Sequence, residues 1–518
     1  MNRQRLFVGS CFALVATSVC FGVVGAIMGT LKEQFILSNE QVGWIGGAAL
    51  WGFTISIFVL GPLCDVLGMR NLLRFALLCH GLGTLLMIFA TGFWTLFFGA
   101  LILALGNGTV EAACNPLVAT VYPDQKTKKL NQFHVWFPGG IVIGAVASFG
   151  LDKLAAAMNT STLLALELWQ FKLALILIPT VVYGIVFTGQ KFPATERVQS
   201  GVSFGGMIAG TLLRPLFLIL LACMAITASL ELGPNRWVPA VLEAGGIHGI
   251  LVLAYISGLM AVLRFFAGPV VHRLSPTGIL VGSAILSGIG LYWLSFAEST
   301  AMAFVSATVF AVGVCYFWPT MLGVTSERVP KSGALGLALM GGMGMLIVGV
   351  LTIPQMGKVA DGFLHEQLVE NRDQTLVVLE KVAETYPPLA DSAPEPFKSE
   401  ILAAVEGTDE AAGVRDVLAA ASTGTLPAGD TANALRYAIK NAPQGEAAAT
   451  VVKELGGVLN PADNYGGRMS FRYVAPFAII IIIVFGIIYL RDRAAGGYKA
   501  ETLTTGGESI TPEKTAET

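Results

Sequence analysis

The sequence predicts an all-α membrane protein. Twelve transmembrane helices form two pseudo-symmetric six-helix bundles, with an external helical insertion between helices eleven and twelve. Three observations predict it. The 518-residue chain is 54% hydrophobic and only 13% charged, where soluble proteins carry about 25% charged residues; its mean hydropathy is +0.70. Twelve apolar runs approach or exceed the roughly 20 residues a helix needs to cross a bilayer. The second half of the chain also echoes the first at a constant shift of 207 residues.

In chain order the runs cover residues 6–31, 42–66, 72–90, 93–121, 133–151, 169–187, 215–242, 250–267, 279–296, 301–324, 333–363 and 473–490. The first follows "MNRQR" and continues without a small-residue cleavage site, which marks a retained span rather than a signal peptide. The fifth, sixth and twelfth are short or interrupted by Gly and Pro. Sixty glycines fit helices that approach each other closely in lipid.

Lys and Arg in short loops set orientation. One side carries Arg3, Arg5, Arg70, Arg74, Lys126, Lys128, Lys129, Lys191, Arg197, Arg273, Arg328, Lys331, Arg491 and Arg493; the other shows little beyond Lys32 and Lys153. Both termini are therefore predicted to be cytoplasmic, in a multi-pass protein of the cell inner membrane. The expected divisions are an N-terminal bundle (1–190), a cytoplasmic linker (191–212), helices seven to eleven (213–364), an external Ala-rich insertion (365–470), helix twelve (471–492) and a disordered tail (493–518). Stretches such as "DQTLVVLEKVAETY" and "TANALRYAIKN" have helical periodicity, so the insertion reads as a small helical cap or a set of loose helices. It contains no cysteine and shows no long apolar face.

The repeat is specific. "GPLCDVLG" at Gly61 recurs as "GPVVHRLS" at Gly268, and the same shift carries Gly106 to Gly313 and Pro123 to Pro330. Two similar bundles facing each other are what alternating access needs, because rocking one against the other exposes a midplane site to each side in turn.

"GPLCDVLGMR", residues 61–70, then acquires a reading. Gly61 and Gly68 permit close packing and a tight turn; Asp65 can meet a helix N-terminus or an Arg of the neighbouring bundle, and Arg70 a carboxylate or lipid phosphate. The stretch resembles the G-x-x-x-D-x-x-G-x-R loop of the major facilitator superfamily. The resemblance implies that family's twelve-helix fold, with Asp65, Gly68 and Arg70 as gating residues. In the second copy His272 replaces Asp65.

"GNGTVEAACNP", residues 106–116, places a carboxylate inside an apolar run. Asn107, Glu111 and Asn115 are spaced i, i+4, i+8 and share a helix face. An ionisable group at this depth is costly and should face the protein interior. Burial favours its neutral form, so Glu111 is a candidate proton-coupling residue. The alternative is a structural glutamate paired with a buried cation, for which no nearby span offers an obvious partner. "EAACNPLVATVYPDQKTKKLNQFHVWFPGG" further resembles the helix 4–helix 5 region of the fucose/galactose/glucose:proton symporter group. That resemblance implies proton coupling at Glu111. His134 stands where the group tends to carry a glutamine, and the first span lacks the carboxylate of the fucose symporter.

In the second half, "ASLELGPNRWVPAVL" offers Glu231, Asn235 and Trp237, with Gly233 and Pro234 expected to break the helix. Substrate binding and outer gating is one reading; a kinked helix end with Glu231 bonded to Arg236 is the other. "VGVCYFWPTMLG" offers Tyr316 and Trp318, whose faces suit pyranose C–H groups but equally suit plain packing. With Asn107, Asn115, Asn131 and His134 these complete the candidate substrate-binding set. His80 reads as peripheral, and Arg264 as snorkelling toward headgroups at the inner end of span eight.

No Walker A loop, H-E-x-x-H or G-x-S-x-G is present, so ATP-driven pumping and hydrolysis are unsupported and no enzyme is expected. The seven cysteines show no CxxC spacing and imply no metal site. A net charge of −2 suggests no nucleic-acid partner. The expectation is a monomeric secondary transporter in the lipid bilayer, importing a small neutral polar solute, a sugar foremost, by proton symport. No cofactor is expected, the proton being the coupling ion. A sugar uniporter, an exporter of another organic solute and a non-transporting sensor with an external domain are the alternatives.

Overall fold

The computed structural model describes residues 2–35, 39–163, 166–408, 412–504 and 509–510. Among them, eleven helices are long and apolar enough to cross a membrane, and the 17-residue apolar helix Gly249–Phe265 makes a twelfth. The twelve spans fall into two bundles of six. Span eight ends at Phe265, one residue past a buried arginine.

The internal repeat is borne out at the level of single residues. Span four is Phe93–Val121, and the two helices of span ten are Thr300–Val314 and Phe317–Arg328. Both outer bounds differ by the same 207 residues. Each span ends on a residue of matching conformation, Tyr122 (φ −126°, ψ 65°) and Val329 (φ −132°, ψ 54°). A 3-10 turn follows each, Pro123–Gln125 and Pro330–Ser332. Proline opens both turns because its missing N–H and fixed φ suit the first position of a helical turn. The shift also carries Gly68 (φ 79°) onto Ser275 (φ 59°). The chain thus takes a left-handed residue between spans two and three and again where span nine starts. Gly adopts this conformation at no steric cost; in the second copy a serine does so, its Oγ accepting from the Gly278 N–H at 3.4 Å.

Three sequence expectations need correction here. Helix Pro215–Ala244 is not broken at Gly233 and Pro234 but runs through both Pro234 and Pro239. Each proline removes one backbone bond, while tertiary packing holds the helix: a Cβ on Gly233 would lie 2.8 Å from Thr352 Cγ2. Span five was expected from residue 133, yet its helix is Trp136–Ala157, preceded by a turn and the short helix Lys126–Phe133. The disordered tail was expected from residue 493. Instead helix Phe477–Ala494 is followed by a segment packed on the end of the molecule that carries the termini. There the Tyr498 hydroxyl donates to Glu327 Oε2 at 2.8 Å, and Arg328 lies 4.4 Å from the Tyr498 ring. Arg214 donates to Glu501 at 2.7 Å, and the Leu503 N–H donates to Glu196 at 3.4 Å. An aromatic and a carboxylate in an otherwise polar segment are enough to dock it. Residues 505–508 and 511–518 of that tail lie outside the described residues.

The insertion is a compact helical cap with a core of its own, including Val378, Leu379, Tyr386, Val417, Leu435 and Leu455. The long apolar face not seen in the sequence belongs to helix Glu446–Val474, whose Ala448, Val451, Leu455, Leu459 and Ala462 recur at helical spacing. Helix Ile353–Glu370 carries span eleven into the cap, and Glu446–Val474 leads back to span twelve, so the expected boundaries at 364 and 470 fall inside helices. Where these two helices cross, a Cβ on Gly466 would lie 2.2 Å from the Ala360 carbonyl oxygen. Asn464 donates to the Val241 carbonyl at 2.7 Å and Arg472 to Ser295 at 2.9 Å, tying the cap to the second bundle. Because the chain enters and leaves the cap at one crossing, replacing residues 370–462 with a short Gly/Ser linker should preserve measurable transport. Loss of all transport in a variant that still reaches the membrane would make the cap part of the mechanism.

Candidate functional site

Spans from both bundles surround a cavity of about 350 Å³. Its polar lining comprises Glu111, His134, Glu231, Asn235, Arg236 and Arg264, with Ser257; Phe21, Phe53, Phe137 and Trp318 supply aromatic walls. Glu111 is 2% exposed. Asn115, one helical turn further on, donates its amide to Glu111 Oε2 at 2.6 Å. His134 Nε2 lies 3.0 Å from Asn115 Oδ1 and 3.9 Å from Glu111 Oε2. The amide nitrogen of Asn115 is committed to the carboxylate, so its oxygen accepts, and His134 carries its proton on Nε2.

Arg264 overturns two expectations. It does not snorkel to a headgroup but is 2% exposed in the cavity wall, and it is the deep cation that seemed missing near Glu111. Its Nη2 donates to Glu231 Oε1 at 2.9 Å, its Nη1 to the His134 carbonyl at 3.1 Å, and its Nε to the Cys315 carbonyl. Glu231 is thus paired with Arg264, not with Arg236. The two carbonyls have a common cause. Pro138 and Pro319 stand four residues after His134 and Cys315, and proline has no N–H to close a helical bond. Arg264 satisfies both oxygens, one in each bundle. Signals for this were present in the sequence as two Pro positions, but nothing in sequence alone joins them to an arginine over a hundred residues from one of them.

The bundles are closed against each other at the end that carries the termini. Thr127 donates through its N–H and hydroxyl to Glu327 Oε1 at 3.0 and 2.8 Å. Lys126 donates to the Ser326 carbonyl at 3.2 Å and pairs with Glu196 of the linker at 2.6 Å. Asn131 reaches Thr320 at 3.2 Å. Span two meets span eleven so closely that a Cβ on Gly61 would lie 2.0 Å from Ala338 Cβ. Asp65, its side chain buried, accepts from Arg197 Nε and Thr195 Oγ1, each at 2.6 Å. A Cβ on Gly333, at the start of span eleven, would sit 3.4 Å from Asp65 Oδ2. Arg70 is exposed. Asp65 therefore joins span two, the linker and span eleven, and Asp65→Asn should loosen this end by roughly 1.5–3 kcal/mol, the range for a charge-assisted hydrogen bond. A cysteine at Ala119, which lines the small space between the bundles here, should then be labelled by a thiol reagent roughly ten- to 150-fold faster. An unchanged rate would remove Asp65 from the closure. The native cysteines are all buried, which keeps the background low.

The other expected site residues are scattered relative to the cavity. Asn107 donates to Cys20 and accepts from His80 Nε2 at 3.0 Å, inside the first bundle. His80, expected to be peripheral, is fully buried, and its Nδ1 faces the Tyr183 hydroxyl at 3.2 Å. The Tyr316 hydroxyl donates to the Leu263 carbonyl at 2.9 Å and Trp237 packs beside Gly357; neither lines the cavity. Asn115 acts on the cavity only through Glu111 and His134, and Asn131 belongs to the closure. Glu111, His134, Glu231, Asn235 and Trp318 are brought together around one space.

Two facing six-helix bundles around a central cavity, closed at one end, define a membrane carrier of small molecules rather than an enzyme. The chain belongs to the Major Facilitator Superfamily, whose sequence profile matches residues 10–352. It is 25% identical over 401 residues to the 3-(3-hydroxy-phenyl)propionate transporter of Escherichia coli, covering 70% of this chain and 92% of that one. It is 23% identical over 354 residues to the gentisate transporter of Corynebacterium glutamicum, covering 64% and 76%. Among solved structures, the fucose:proton symporter of Escherichia coli aligns over 70% of this chain and 93% of its own, with a TM-score of 0.57 and 17% identity. The twelve-helix fold expected from the sequence is that family's fold.

Proposed function

We propose that the protein is a proton-coupled importer of a small polar solute, working by alternating access, with Glu111 as the proton carrier. The observation that carries this reading is a carboxylate buried in the wall of the central cavity, held by Asn115, which His134 in turn engages, and sharing that cavity with the Arg264–Glu231 pair. Protonating Glu111 removes a buried charge, so loading and release of a proton can be tied to reorientation. The likeness to a fucose:proton symporter supports the coupling ion. We place both termini on the cytoplasmic side, following the Lys and Arg bias, so the closed end faces inward. A sugar remains the substrate favoured by Trp318, His134, Glu231 and Asn235 in one cavity. A second reading, an organic acid, is favoured by the aromatic walls and by relatives named for gentisate and hydroxyphenylpropionate. No cofactor beyond the proton enters the scheme, and the working unit is a monomer.

Proteoliposomes acidified outside should accumulate labelled solute from a panel of fucose, glucose, glucuronate and 3-hydroxybenzoate, and a protonophore should abolish it. Uptake of a panel member that equilibrates but never accumulates would make the protein a uniporter. Export against the gradient would make it an antiporter.

A further inference from the structure

The cavity holds an arginine that the coupling scheme does not use. Arg236 lines it and is exposed, and among the described residues no hydrogen bond or ion pair engages its guanidinium. Arg264, by contrast, spends its donors on Glu231 and two carbonyls. Beside Arg236, the Oδ1 of Asn235 is buried without a hydrogen-bond partner. A guanidinium with no protein partner is free to take an anion, and an unsatisfied buried carbonyl oxygen calls for a donor. Aromatic rings of Phe21, Phe53, Phe137 and Trp318 supply flat apolar walls in the same cavity.

Charge within the cavity points the same way. With Glu111 ionised, the carboxylates of Glu111 and Glu231 face the guanidiniums of Arg264 and Arg236, and these four charges cancel. With Glu111 protonated, Glu231 alone opposes Arg264 and Arg236, and the cavity carries one net positive charge. Proton loading thus creates the electrostatic demand for a monoanion, and release of the proton withdraws it.

We propose that Arg236 is a carboxylate anchor and that the solute is a hydroxylated monocarboxylate, its hydroxyl donating to Asn235 Oδ1. This rests on the proton-coupled reading of the same cavity and narrows its substrate class. One proton and one monoanion cross together, so transport is electroneutral. A membrane potential, worth a factor that scales with net charge moved, gives no drive, whereas a neutral solute carried with a proton would be driven by it.

Two matched pairs of probes test the anchor: glucuronate against glucose, and 3-hydroxybenzoate against 3-hydroxybenzyl alcohol. Binding is measured on purified protein by calorimetry at a pH that keeps both acids ionised. In at least one pair the acid should bind about tenfold or more tightly than its alcohol, the effect of a charge-assisted hydrogen bond. Arg236→Gln should collapse that ratio toward one, and Arg236→Lys should restore part of it, in variants with unaltered melting temperature. The proposal is overturned if neither pair favours the acid, or if the preference survives in Arg236→Gln. Uptake under a valinomycin-set potassium potential gives an independent arm: acceleration by an interior-negative potential would exclude electroneutral symport. Coupling itself is read separately, as acid-driven accumulation, so the anchor can fail while proton coupling stands, and the reverse.

Discussion

Glu111→Gln is expected to abolish accumulation driven by a pH gradient while leaving exchange of labelled for unlabelled solute intact. Gln keeps the shape of a protonated glutamate and can still accept from Asn115, which donates to Oε2 at 2.6 Å in the native protein. What it cannot do is release a proton. One proton per solute is worth about 1.4 kcal/mol for each pH unit across the membrane, about tenfold accumulation per unit, and in the variant the ratio should fall to one. The loaded carrier remains neutral at this position and can still reorient. A purely structural glutamate predicts a different outcome, with both activities falling together as the protein loses stability. Both measurements are made in the same proteoliposomes. Accumulation that persists in the Gln variant would move the proton to His134 or Glu231.

Arg264→Gln should be the most damaging single substitution in the cavity. It strips Glu231 of its ionic partner and withdraws donors from the His134 and Cys315 carbonyls. Breaking a buried pair from one side costs roughly 3–5 kcal/mol, because the remaining charge is left uncompensated. The expected results are a lower melting temperature, poor recovery from membranes and loss of transport. Adding Glu231→Gln should return part of the stability by removing the stranded carboxylate, so the two substitutions should be strongly non-additive. Independent, additive effects would mean that the pair seen at 2.9 Å contributes nothing to the fold. The double variant should still fail to transport, since the carbonyls of both bundles lose their shared donor.

The architecture was largely legible because it rests on local and periodic signals. Apolar runs mark spans without any tertiary knowledge, and the 207-residue shift survives in the positions of Pro123 and Pro330 and of Gly68 and Ser275. Glu111 was legible for the same reason: a lone carboxylate in an apolar helix has few explanations. The rest of the site was not. Asn107, Asn115 and Asn131 look alike in sequence, yet a few tens of degrees around a helix axis decide whether each meets the cavity, a neighbour or the opposite bundle. Arg264 was misread because depth in the membrane was judged from its distance to the helix end. Its real position depends on two proline-freed carbonyls contributed by other spans. The cap core was hidden likewise, since its apolar residues are mostly alanine and valine at helical spacing in a segment punctuated by proline and glycine.

Span eleven enters the cap as the unbroken helix Ile353–Glu370, and the return helix Glu446–Val474 is clamped to it where Gly466 meets Ala360. A structure built this way is a lever with its fulcrum in the bilayer. The return helix has 29 residues, which at about 1.5 Å per residue makes an arm of roughly 43 Å. If the second bundle tilts by about 10° during a transport cycle, the far end of such an arm sweeps about 7 Å. Motions too small to follow at the cavity would be magnified in water, where a dye on the cap and another on the first bundle could report each turnover as it happens.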